Sequence, residues 1–89
     1  MCGINHIVKQ TFEEAIQQRV RIQVTQCEHG KGERWTEIRI QPQRVMLPMS
    51  HFDEWPDSFE GQVDGYTYRA VPTVNEDQTY ALFELEVIL

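Results

Sequence analysis

The sequence predicts an α+β fold: a small antiparallel sheet of four to five strands, made from β-hairpins at 19–41 and 65–88, with a short N-terminal helix and short helical turns near 51–60. Three observations carry this. Val20/Ile22/Val24 and Phe83/Leu85/Val87 alternate strictly with polar residues, the period of a strand with one buried face. Glu28-His29-Gly30-Lys31-Gly32 supplies turn residues between two alternating runs, the pattern of a hairpin. Thr11-Phe12-Glu13-Glu14 has the spacing of a capping box, in which a threonine hydroxyl takes an N–H three residues on.

Taken in order, the helix spans Phe12 to Gln18 and turns Phe12, Ala15 and Ile16 to one face. It is too short to stand alone and must dock on the sheet. Residues 19–26 and 34–41 pair next, burying Val20, Ile22 and Val24 from one strand with Ile38 and Ile40 from the other. Gln43 to Leu47 reads as a short strand stopped by Pro48. Phe52, Trp55 and Phe59 recur at the spacing of a helical face, with Ser50 as cap and Gly61 as stop, but Pro56 interrupts them, so two helical turns are expected. A second strand pair covers 65–71 and 79–88, with Pro72 to Asp77 as its turn and Ala81, Phe83, Leu85, Val87 and Leu89 facing inward. The long apolar last strand carries no lysine or proline, so as a sheet edge it would pair with a second copy.

At 89 residues and 10.5 kDa, the chain is expected to form a single domain over 1–89. Its 40% apolar content suits a globular protein and excludes a disordered one. No run of apolar residues is long enough for a membrane helix, and Met1 to His6 lacks the features of a signal peptide, so a cytoplasmic protein with no membrane partner is expected. Two cysteines, Cys2 and Cys27, suggest no structural disulfide.

Chemical motifs are sparse. Met1-Cys2-Gly3-Ile4 resembles the opening of class II glutamine amidotransferase domains, whose N-terminal cysteine is the nucleophile. The resemblance covers those four residues alone, and the downstream glycine–asparagine–glycine segment of that family has no counterpart here. Cys2 with His6, Cys27 with His29, and His51 give five candidate zinc ligands, but their spacing is unlike paired zinc ligands. Gly30-Lys31-Gly32 lacks phosphate-loop spacing, and Asp53 to Asp64 lacks the alternating oxygen ligands of a calcium loop. The expectation is a non-catalytic protein with no cofactor and no metal.

Charge is the informative feature. Residues 1–49 hold seven cations against five carboxylates, whereas from residue 50 onward Arg69 alone faces nine: Asp53, Glu54, Asp57, Glu60, Asp64, Glu76, Asp77, Glu84 and Glu86. An acidic half ringed around aromatics suits binding of a basic protein partner, with complementary charge speeding encounter. Phe52, Trp55 and Phe59 are the expected apolar anchors, and Asp53, Asp57 and Glu60 their charged rim. Such a protein would act as an inhibitor or modulator of a nucleic-acid-handling partner. A second reading places single-stranded nucleic acid on the outward hairpin face, where Arg19, Arg21 and Gln23 lie beside Trp35, Glu37, Arg39 and Gln41. A thiol or metal site on Cys2, Cys27 and His29 is a third.

Overall fold

The computed structural model describes residues 9–89, so Cys2 and His6 lie outside the described residues. Helix α1 covers Phe12–Gln17, one residue shorter than expected, and the Thr11 side chain accepts the Glu14 N–H at 3.1 Å. Strands β1 (Arg21–Glu28) and β2 (Arg34–Gln41) form an antiparallel two-stranded sheet. Strands β3 (Arg44–Pro48), β4 (Phe59–Val63), β5 (Tyr66–Val74) and β6 (Tyr80–Ile88) form a second sheet in the order β3-β6-β5-β4, antiparallel throughout. The described residues are therefore mainly β, with one short α-helix and a single 3₁₀ turn at Met49–His51 among them.

The expected pairs 19–26/34–41 and 65–71/79–88 are both present, with shifted ends. Residues 51–60 are not two helical turns: beyond the turn at Met49–His51, the chain runs irregularly to Ser58 and enters β4 at Phe59. Gly61 is inside that strand and stops no helix. The missed signal was Asp64-Gly65. Both residues have positive φ, 52° and 84°, the conformation of a tight two-residue hairpin loop, and they sit between Phe59/Gly61/Val63 and Tyr66/Tyr68/Ala70. Strand β5 also runs through Pro72 to Val74. The hairpin loop directs the even-numbered residues of β5 toward β4, so the missing N–H of Pro72 points where β4 has already ended, at Phe59 opposite Ala70.

The last strand is not an edge. β6 lies between β3 and β5, so its lack of proline and lysine leaves no open row there to invite a second copy. Its inward side chains Ala81, Phe83 and Leu85 are buried, but Leu89 lies beyond the strand and is exposed. One face of the four-stranded sheet carries the core. Tyr68, Ala70, Val45 and Leu47 meet Phe12, Ala15 and Ile16 of α1 there, and Phe12 stacks between Phe52 and Phe83 with ring centroids 4.1 and 5.4 Å apart. The larger fully buried side chains among these, such as Ile16, Leu47 and Phe83, each contribute about 1.5–3 kcal/mol.

The β1–β2 hairpin leaves this body as an arm. Val20, Ile22 and Ile40 anchor its base to the core, but Val24 is 48% exposed and Ile38 only half-buried, against the expectation that both would be covered. Eight residues of antiparallel strand reach about 27 Å. The radius of gyration is accordingly 17.2 Å, compared with about 12 Å for a compact chain of this length.

Candidate functional site

The body concentrates the charge. Residues 9–20 and 42–89 hold eleven carboxylates and four cations, whereas the arm, 21–41, holds Glu28, Glu33 and Glu37 against Arg21, Lys31, Arg34 and Arg39. Within the body, two adjoining clefts of about 540 and 230 Å³ run along the seam between α1, the 54–58 segment and β4. They share Glu13 and Phe59. Glu14, Gln17, Glu60 and Tyr68 line the larger, and Phe12, Glu54, Trp55, Pro56 and Asp57 the smaller.

Each wall has a local origin. Glu13 and Glu14 occupy the first turn of α1, where the unpaired N–H groups favour negative charge. Gln17, at the other end of the helix, ties it to the sheet: its Nε2 donates to the Gln62 carbonyl at 2.8 Å, and its Oε1 accepts from the Tyr68 hydroxyl at 2.7 Å. Tyr68 reaches it by crossing Gly61, where a Cβ would lie 2.5 Å from the hydroxyl oxygen. Glycine is thus required by space here. Burial first, and the Glu13 charge second, raise the Tyr68 hydroxyl pKa, keeping it a neutral donor to Gln17. On the opposite wall, buried Pro56 holds the segment against the body while Trp55 stands 62% exposed.

The six residues expected at a partner-binding patch separate into two groups. Phe52 and Phe59 turn inward: Phe52 lies on Phe12, and Phe59 meets Tyr68 and Phe83 edge-on at 6.2 Å. They are half-buried and serve the core first. Trp55 and Asp57 remain on the cleft rim. Asp53 is matched by Lys9 at 3.7 Å and Glu60 by Arg69 at 3.1 Å, so part of their charge is already met. Glu13, Glu14, Glu54 and Asp57 take part in no ion pair among the described residues. Glu13, Glu14 and Gln17 were not among the expected site residues, because nothing in a linear reading brings the first helix beside residues 54–60.

On the arm, β1 and β2 pair with Arg21 opposite Gln41, Gln23 opposite Arg39, Thr25 opposite Glu37 and Cys27 opposite Trp35. This reproduces the expected outward face over residues 21–41. Arg39 is held by Glu37 at 2.6 Å, and the Cys27 thiol donates to the same carboxylate at 3.5 Å. Those contacts, the Arg39 hydrogen bond foremost, lower the Glu37 pKa. Partial burial, then the hydrogen bond to Glu37 and its charge, raise that of Cys27. Cys27 is a free thiol. Among the described residues no group of three or more His, Cys, Asp or Glu side chains is placed to hold a metal ion, and no helix is long and apolar enough to cross a membrane. Comparison with family models, curated proteins and solved structures gives no match to this chain.

Proposed function

We propose that this is a non-catalytic binding protein whose acidic cleft receives a basic segment of a partner protein, so that it inhibits or modulates a partner that handles nucleic acid. One observation carries the reading: Glu13, Glu14, Glu54 and Asp57, none of them in an ion pair among the described residues, converge on a seam walled by Phe12 and Phe59, with Trp55 exposed at its rim. Carboxylates left without internal cations keep their field for an incoming lysine or arginine, and an exposed tryptophan beside them offers its ring face to the same cation.

The test is capture from the native host with two baits, the wild type and the triple variant Glu13→Lys, Glu54→Lys, Asp57→Lys. A basic protein recovered by the wild type, released by salt and lost with the variant is the expected result. A partner held equally by both baits would overturn the reading. Exposed Trp35, with Arg21 on the same arm face, supports a second reading in which single-stranded nucleic acid lies along the arm. Salt-dependent binding of an oligonucleotide that is abolished by Trp35→Ala would favour it.

A further inference from the structure

The arm presents two strand edges, and one of them is complementary to itself. His29 N–H donates to the Glu33 carbonyl at 2.7 Å, and Ile22 N–H turns out to the Asp64 carboxylate at 3.4 Å. Odd-numbered residues therefore bond across the hairpin, and even-numbered ones point outward. On β2 the outward N–H and C=O groups belong to Arg34, Thr36, Ile38 and Ile40, and none finds a protein partner among the described residues; Ile40 is buried at the base of the arm, so the open stretch runs from Arg34 to Ile38. Neither strand contains a lysine, proline or bulge to protect its edge.

We infer that two copies of this chain associate through β2, antiparallel about a two-fold axis at Ile38, to make a four-stranded sheet in the order β1-β2-β2-β1. The register follows from charge. Outward groups meet only when even residues face even residues. Centring the pairing on Glu37 or on Arg39 satisfies this but sets like charges directly opposite. Centring it on Ile38 places Glu37 opposite the partner's Arg39, twice by symmetry. With the Glu37–Arg39 pair inside each strand, four charges of alternating sign then share one face. On the other face Ile38 meets the partner's Ile38. Since Val24 lies opposite Ile38 within each hairpin, an unbroken row of four apolar side chains crosses the joined sheet. β1 is the poorer edge: Asp64 already occupies its base, and its charges stand only at its ends, Arg21 and Glu28, where they select no register.

Edge pairing buries little area, so the association belongs to the weak class and must be sought at high protein concentration. Sedimentation equilibrium up to the solubility limit should show a wild-type monomer–dimer equilibrium. Glu37→Arg and Arg39→Glu, each alone, should raise the dissociation constant at least about tenfold, because each sets like charges opposite across the axis. An equimolar mixture of the two should dimerise again, since a chain with two arginines then meets a chain with two glutamates. The double variant carrying both changes in one chain should dimerise like the wild type, and circular dichroism melting checks that each single variant stays folded. A wild type that is monomeric throughout, single variants that dimerise normally, or a mixture and double variant that restore nothing would each overturn the inference.

Discussion

The body and the arm are built from the same antiparallel strand with the same alternation, yet they differ in what lies against the apolar face. In the body, Phe83 and Tyr68 are fully buried beneath α1 and the 52–59 segment. In the arm, Val24 and Trp35 are each nearly half exposed, on opposite faces of a two-stranded ribbon. Alternation in sequence states that a strand has an apolar side; it does not state that the same chain covers it. A two-stranded hairpin is marginal alone in water, so this arm depends on its base and on any partner it meets.

That contrast predicts a gradient of mutational effect. Phe83→Ala should be the most damaging, costing about 3–5 kcal/mol by loss of burial and the cavity left between Phe12 and Phe59. Urea denaturation measures it, and a loss below about 1 kcal/mol would mean the body is less tightly packed than its burial indicates. Gly61→Ala comes next, at about 1–3 kcal/mol, because the new methyl overlaps the hydroxyl end of the Tyr68 ring and displaces it from Gln17. Tyr68→Phe should recover little of that loss, because the ring carbons Cζ and Cε1, 2.6 and 2.8 Å from the new methyl, remain in phenylalanine.

In the arm, Val24→Ala should change stability by no more than about 0.5 kcal/mol at concentrations where the protein is monomeric. Hydrogen exchange sharpens the comparison. Amides of β5 and β6 should exchange only with global unfolding, whereas the outward amides of Thr36 and Ile38 should exchange rapidly. The smallest effect concerns Cys27. With its pKa raised, the thiol should react with iodoacetamide more slowly than an unstructured cysteine at the same pH, measured in a Cys2→Ser background, and Glu37→Gln should speed it. By linkage, the contribution of the neutral thiol to stability is complete below the pKa of the unfolded thiol. It is lost as pH rises through the higher folded value.

Much of the fold was legible because it depended on local rules. The Thr11 cap, the β1–β2 and β5–β6 pairs and the buried row Ala81/Phe83/Leu85 all follow from spacing within a few residues. Strand β4 was hidden because Phe52, Trp55 and Phe59 coincide with a helical period, and the Asp64-Gly65 turn that pairs it with β5 did not enter that reading. The candidate site was only half legible. Trp55 and Asp57 were found from composition, but Glu13, Glu14 and Gln17 join them through a long-range docking fixed by Gly61 and Tyr68. Likewise, the charge of Asp53 and Glu60 could not be discounted until Lys9 and Arg69 were seen beside them.

The position of α1 against β4 also bears on how this molecule can assemble wrongly. An open sheet with two bare edges can add copies head to tail without limit, which is how fibres grow. Here Gln17 fastens the helix to the outward Gln62 carbonyl, so the β4 edge of the four-stranded sheet is obstructed. A helix of six residues thus keeps one edge of the sheet from taking up a further strand, and loosening it at Gln17 is the change that would expose that edge.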